Sequence, residues 1–161
     1  MTRILVAYAS RSGSTREVAE AVATVATAAG HDVVLVPARA VDEPLTGWDV
    51  VILGAPLYSG RWHRDAHRFL KKHRGELDRL QVAVFGLGPR RDDEDAWRRS
   101  SAQLDRALSR RPWLVPATVG LFGGADPPRR GRPRRDLRDW AAIGEWSHKV
   151  LAMTGAEEIA G

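Results

Sequence analysis

The sequence contains no cysteine. That absence excludes disulfides, thiolate metal sites and a cysteine nucleophile, and it suits an intracellular protein. Long apolar runs are missing too: none approaches the roughly 18 residues of a membrane span. The first strand-like run begins by Ile4, which leaves no room for a signal peptide, so a cytoplasmic protein is expected. Neither the lysine-bearing phosphate loop of nucleoside triphosphatases nor the G-x-G-x-x-G of dinucleotide folds is present, and there is no G-x-S-x-G hydrolase elbow. Acidic charge is in deficit. The net charge is +5 and the pI near 10.4, carried by arginine much more than lysine. Such a balance favours an anionic partner: a carboxylated substrate, a phosphate or a membrane surface. Nucleic acid fits the charge, but the chain has no nucleic-acid module and no aromatic-interleaved basic strand, so no nucleic-acid partner is expected.

What is present is organised around one stretch. Ile4 to Ala9 is an apolar strand of the buried type, and it runs into Ser10-Arg-Ser-Gly-Ser-Thr15, a turn with four hydroxyls and one glycine. The turn opens an amphipathic helix from Arg16 to Ala29. Free amides at a helix N-terminus carry partial positive charge, Gly13 lets the backbone approach an anion, and the hydroxyls of Ser10, Ser12, Ser14 and Thr15 can donate to its oxygens. This layout suits phosphate. The alternative is a capping box between Ser14 and Glu17, which starts the helix without a ligand.

Gly30 then stops the helix, Asp32 to Pro37 forms a second strand, and Trp48 to Gly54 a third after one turn around Val41 to Leu45. Continuous apolar strands point to a parallel sheet covered by helices on both sides. The third strand ends in Gly54-Ala-Pro-Leu-Tyr-Ser-Gly-Arg-Trp62, whose aromatics Tyr58 and Trp62 and glycines Gly54 and Gly60 suit a planar ring; the alternative is a turn with an aromatic plug. The next helix turns Ala66, Phe69, Leu70 and His73 inward. A fourth strand, Gln81 to Gly88, leads through Pro89 to a helix with Trp97, Leu104, Ala107 and Leu108 inward. A fifth strand, Val115 to Gly124, leads to an exposed loop that carries Arg129, Arg130, Arg132, Arg134 and Arg135. The last helix is expected over Asp136 to Met153, with Leu137, Trp140, Ala141, Gly144 and Leu151 on its inner stripe. At 161 residues and 17.7 kDa the chain has the size of one domain, expected over residues 1–154, with a short tail at 155–161. No metal site is expected: the acids at 92–95 have no ligand spacing and read as solvated charges at a helix N-terminus, and His63 and His67 lack a third ligand.

The Ser10, Ser12, Gly13 and Thr15 pattern resembles the phosphate loop of flavodoxins, which cradles the phosphate of FMN. A further likeness joins it. Leu57-Tyr-Ser-Gly-Arg-Trp-His63 with Arg68-Phe-Leu-Lys-Lys-His73 resembles the flavodoxin-like, menaquinone-dependent protoporphyrinogen oxidases, and the final helix is similar to that of some family members. The resemblance implies an α/β fold, a flavodoxin-like three-layer sandwich on a five-stranded parallel sheet of order 2-1-3-4-5. It implies noncovalent FMN held by Ser10, Arg11, Ser12, Gly13, Ser14 and Thr15, by Pro56, Leu57, Tyr58, Ser59, Gly60 and Trp62, and by Gly88 and Pro89. The flavin carries the chemistry, so no catalytic side chain is required. The implied substrate is protoporphyrinogen IX, with a quinone as acceptor at the inner face of the membrane; the five loop arginines would meet porphyrinogen propionates or lipid headgroups, unless they are only a solvated basic loop. The loop after the fourth strand has no aromatic before Trp97, which leaves one flavin face open to a substrate. A one-electron flavodoxin carrier and a flavodoxin-like module without FMN remain as alternatives.

Overall fold

The structure is a computed structural model, and it describes residues 2–127, 130, 131 and 133–156. In chain order it runs β1 (Arg3–Tyr8), α1 (Ser14–Ala28), β2 (Asp32–Pro37), a short 3-10 turn (Ala38–Ala40), β3 (Val50–Tyr58), β4 (Arg61–Trp62), α2 (Arg64–Lys72), α3 (Arg74–Leu77), β5 (Gln81–Leu87), α4 (Glu94–Ser109), β6 (Thr118–Phe122) and α5 (Trp140–Met153). The long strands form one parallel sheet in the order β2-β1-β3-β5-β6, which is the expected 2-1-3-4-5 arrangement. The addition is β4, a two-residue strand antiparallel to the end of β3, pairing Leu57 with Trp62 and Tyr58 with Arg61.

Alternation along the strands builds two cores. Ile4, Val6 and Tyr8 of β1, with Phe85 and Leu87 of β5, face Val18, Val22 and Ala26 of α1 and Ile143, Trp146 and Val150 of α5. Leu5 and Ala7, with Val51, Leu53, Val82 and Val84, face Phe69 and Leu70 of α2 and Leu104 and Ala107 of α4. Because every residue of β1 after Arg3 is buried, this strand has no polar face, as a central parallel strand requires. No described helix is long and apolar enough to cross a membrane.

Several local expectations are corrected. The turn after β2 lies at Ala38–Ala40 and not around Val41 to Leu45. The later segment is pinned from outside: buried His73 bonds the Val41 carbonyl through Nε2 at 3.2 Å, and the Glu76 carboxylate accepts the Leu45 amide. In α4 the buried residues are Ala96, Ser100, Leu104 and Ala107, whereas Trp97 is half-buried and donates from Nε1 to Asp92 at 2.9 Å.

The last helix starts at Trp140, four residues later than its pattern suggests, because the preceding backbone is used elsewhere. Asp136 bridges to Ala125 in antiparallel fashion, and the Leu137 amide donates to the Gly124 carbonyl at 3.0 Å. Asp139 then caps the helix, accepting from the Ala142 amide at 3.1 Å. The buried face is Ile143, Trp146, Ser147, Val150 and Leu151, and of the expected stripe only Leu151 belongs to it; Trp140 is exposed. Beyond the helix, Ala156 is buried, and its carbonyl bonds His31 Nε2 at 2.8 Å.

Candidate functional site

The carboxyl ends of β1, β3, β5 and β6 open onto one cleft of about 530 Å³, the position at which doubly wound sheets bind ligands. Its floor is the turn between β1 and α1. Gly13 caps α1 with φ 93°, in the left-handed region. An added Cβ there would meet nothing within 4 Å, so the requirement for glycine is conformational and not steric. No side chain caps the helix, which leaves the first-turn amides without a side-chain acceptor.

The Ser14–Glu17 capping box does not form. Ser14 is already helical, and the Glu17 carboxylate lies 3.4 Å from Arg138 Nη1. Ser12, Ser14 and Thr15 line the cleft; Thr15 is 2% exposed, and its side chain has no hydrogen bond among the described residues. Ser10 turns back and accepts the Gly13 amide at 2.9 Å, so it supports the turn and does not line the cleft.

One wall is the end of β3: Pro56, Leu57 and Tyr58. The Arg11 guanidinium sits over the Tyr58 ring at 4.6 Å, and both line the cleft. Ser59 and Gly60, with φ 51° and 75°, are the two central residues of the β3–β4 hairpin and stand outside it. Positive φ at both positions is what a type I′ turn demands. Trp62 is likewise withdrawn. Paired opposite Leu57, it points into the core at 2% exposure, donates from Nε1 to the Ala55 carbonyl at 3.1 Å, and meets His67 edge-on at 5.6 Å. It is the aromatic plug and not a stacking face. Gly54 is also a packing residue, since a Cβ there would lie 1.9 Å from the Phe85 ring.

Leu87 and Gly88 extend the floor, and Gly88 is required because a Cβ would come within 2.8 Å of Ser100. Pro89 does not line the cleft; its carbonyl accepts the Gly124 amide at 2.8 Å. The opposite wall was only partly legible in the sequence. It consists of Arg90, Gly124 to Pro127, and Pro133 to Arg135. Its centre is Asp126, whose carboxylate receives Arg135 Nε at 2.8 Å and lies 3.6 Å from Arg90, while Arg134 Nε donates to the Asp126 carbonyl at 2.7 Å. The Arg135 hydrogen bond holds the Asp126 carboxyl below its ordinary range. Of the five loop arginines, Arg134 and Arg135 line the cleft, Arg130 is exposed in a turn and does not line it, and Arg129 and Arg132 lie outside the described residues.

Arg138 had no signal of its own in an arginine-rich stretch. Its side chain is 3% exposed and gripped by Asp136, which accepts from Nε at 2.9 Å and from Nη2 at 2.8 Å. That bidentate pair pushes Asp136 down to about 2 and raises Arg138. Both histidines considered for metal are engaged separately: His63 Nδ1 accepts the Asp65 amide to cap α2, and His67 Nδ1 faces Arg111 Nη1 at 2.9 Å.

Comparison with known proteins agrees with this architecture. A protoporphyrinogen IX dehydrogenase [quinone] of Escherichia coli is 23% identical over 129 residues, 79% of this chain and 71% of that protein. Flavodoxin 2 of Bacillus cereus superposes with a TM-score of 0.63 at 26% identity, covering 96% of this chain and 99% of that one. A flavodoxin from Pseudomonas aeruginosa gives 0.66 at 16% identity with the same coverage. A family model described as a flavodoxin domain matches residues 5–128, and the chain therefore belongs to the flavodoxin domain family.

Proposed function

We propose that this chain binds FMN noncovalently in the cleft and works as an FMN-dependent oxidoreductase. The observation that carries the reading is the uncapped start of α1, with Ser12, Ser14 and the unpartnered Thr15 opening onto a cleft at the carboxyl end of a parallel sheet. The donor set fits a phosphate: backbone amides at the positive end of a 15-residue helix, hydroxyls beside them, and Arg11 at the entrance. Pro56 to Tyr58 and Gly88 offer the flat walls that a ring needs. When bound, FMN supplies the redox chemistry; the protein's residues position it and shape access.

The finer reading is oxidation of protoporphyrinogen IX to protoporphyrin IX with a quinone as acceptor. It is supported by the name of the Escherichia coli relative and by Arg90, Arg134 and Arg135 around the open side of the cleft, since guanidinium groups pair well with carboxylates. The segment from Gly88 to Asp93 carries no aromatic to cover a ring, so a small substrate can approach. In this reading the protein is cytoplasmic and meets the inner face of the membrane through its basic loop, where the quinone resides. The rival reading is a one-electron carrier that docks on proteins, favoured by the similarity to solved flavodoxins.

Calorimetry with FMN and riboflavin tests the cofactor. FMN is expected to bind much more tightly, because riboflavin lacks the phosphate, and equal affinities would overturn the assignment. Porphyrin fluorescence then tests the substrate: protoporphyrinogen with menaquinone is expected to yield porphyrin only in the presence of the FMN-loaded protein. No turnover with the quinone, together with rapid reduction of a partner protein, would favour the carrier.

A further inference from the structure

Beside the cleft lies a second concavity of about 320 Å³, bounded by Arg90, Arg91, Arg99 and Arg135, with Ser100 and Gln103 of α4 among its other lining residues. Arg90 and Arg135 belong to both spaces and form the partition between them. The groove is poorly neutralised. Arg91 pairs with Asp93 at 3.2 Å, and Arg90 and Arg135 share Asp126, while Arg99 has no partner among the described residues. Four guanidinium groups therefore face two carboxylates, an excess of two positive charges. The neighbouring acids do not redress it, because Glu94 and Asp95 are both taken by Arg98, and Asp92 accepts from Trp97. Among the described residues, no acid lines the groove.

We propose that this groove is a second anion site, which takes a small, multiply charged oxyanion, a diphosphate or a tricarboxylate. Half of the eight residues that line it are arginines, gathered over a patch that suits a small anion. Planar guanidinium groups bind both oxyanion types in bidentate fashion, and the Gln103 amide and Ser100 hydroxyl add neutral donors. Occupancy has a consequence next door. An anion in the groove competes with Asp126 for Arg90 and Arg135, and so lowers the positive potential on the wall of the cofactor cleft. The site stands on the groove's own geometry; only this influence on electron transfer rests on the FMN reading.

The test is calorimetry on the protein as purified, with inorganic pyrophosphate and with citrate, at low and high chloride. At least one anion is expected to bind, and more weakly as chloride rises. Tighter pyrophosphate binding identifies a phosphate-bearing ligand, tighter citrate binding a carboxylate-bearing one. The double variant Arg91→Ser/Arg99→Ser, both exposed and outside the cofactor cleft, is expected to weaken binding at least about tenfold while FMN affinity holds. Ser12→Ala/Thr15→Ala is expected to leave the groove's affinity intact. Absence of binding by both anions, or binding that survives the arginine variant and disappears in the hydroxyl variant, would overturn the proposal. A protein that purifies without flavin and takes up none would sink the FMN reading alone, because the groove is still measured by the two variants.

Discussion

Arg138 Nη1 donates to the Ser14 carbonyl at 3.3 Å, joining the segment before α5 to the first turn of α1 across a separation of 124 residues. The same guanidinium is fixed by Asp136, reaches Glu17, and stacks against Trp140 at 4.9 Å. One buried cation thus ties the first turn of α1 to the neck of the arginine loop. Replacing it with methionine strips Asp136 of its bidentate partner and is expected to cost about 2 to 3 kcal/mol. For a chain of this size, that is roughly 5 to 10 °C in thermal midpoint. If the proposed FMN site is right, FMN affinity should fall as well, since the carbonyl that Arg138 holds belongs to Ser14, the first residue of α1, which lines the cleft. Lysine should rescue little, because an ammonium cannot reproduce the fork. A methionine variant with unchanged melting and unchanged FMN affinity would remove Arg138 from this role.

Two glycines separate conformational from steric demand. Gly54→Ala drives a methyl into the fully buried Phe85 ring and is expected to destabilise by about 3 kcal/mol or more. Gly13→Ala meets open space but retains a left-handed φ, so about 1 to 2 kcal/mol is expected. Gly13→Asn should recover part of that loss, because asparagine tolerates the region. Urea unfolding distinguishes the cases; an asparagine variant no better than alanine would mean that the turn needs glycine for some reason other than φ.

The hydroxyl cluster makes a third prediction. Losing Ser12 and Thr15 together should weaken FMN binding at least about tenfold, since each hydrogen bond to a charged phosphate is worth about 1.5 to 3 kcal/mol. Ser10→Ala should act differently, loosening the turn through the Gly13 amide and lowering stability more than affinity. Calorimetry and melting of the three variants separate binding from support.

How much of this was legible in the sequence depended on the range of the interactions. The buried strands announce themselves as apolar runs, and the Ser/Thr turn announces a helix start at the end of a strand, because in both the pattern and its cause lie within a few residues. Arg138, Asp126 and the late start of α5 were hidden. Each depends on pairing across the neck of a loop, Ala125 with Asp136 and Gly124 with Leu137, and nothing in an arginine-proline stretch distinguishes the arginine that will be buried from those that stay solvated. Between the two alternatives for Trp62, a ring-facing aromatic and a plug, the sequence does not decide for a related reason: in a hairpin, alternation sets which side a residue faces, and the two-residue β4 is too short to recognise.

The corrected placement of the aromatics is itself testable. Tyr58→Leu should raise flavin fluorescence and weaken FMN binding, because among the described residues Tyr58 is the aromatic that lines the cleft. Trp62→Leu should instead cost stability, on the order of 2 to 4 kcal/mol, by opening a core site and leaving the Ala55 carbonyl without its donor. The flavin spectrum should not change. If Trp62→Leu alters flavin emission while Tyr58→Leu does not, the ring lies on the other side of the hairpin.

Stability should fall on mild acidification, and two histidines are the reason. Burial lowers both His63 and His67. Arg111 and Arg110 lower His67 further; for His63 the acid Asp65 opposes the shift while Arg64 and Arg11 add to it. The geometry agrees, since Arg111 donates to His67 Nδ1 and Asp65 donates its amide to His63 Nδ1, so each ring nitrogen must be unprotonated. With folded values below an unfolded value of about 6.5, the unfolded chain takes up protons first. The histidine contribution is therefore complete above about pH 6.5 and is lost as pH falls through the folded values. Asp136 acts in a separate, lower window: depressed from 3.8 to about 2 by Arg138, it contributes stability above its unfolded value that disappears as pH falls through 2. The variant His63→Asn/His67→Gln keeps an acceptor to cap α2 and removes both titrating rings. Its urea unfolding free energy should be flatter than that of the parent from about pH 7 to pH 5, with the lower window untouched. An unaltered slope across that interval would assign the acid sensitivity to other groups.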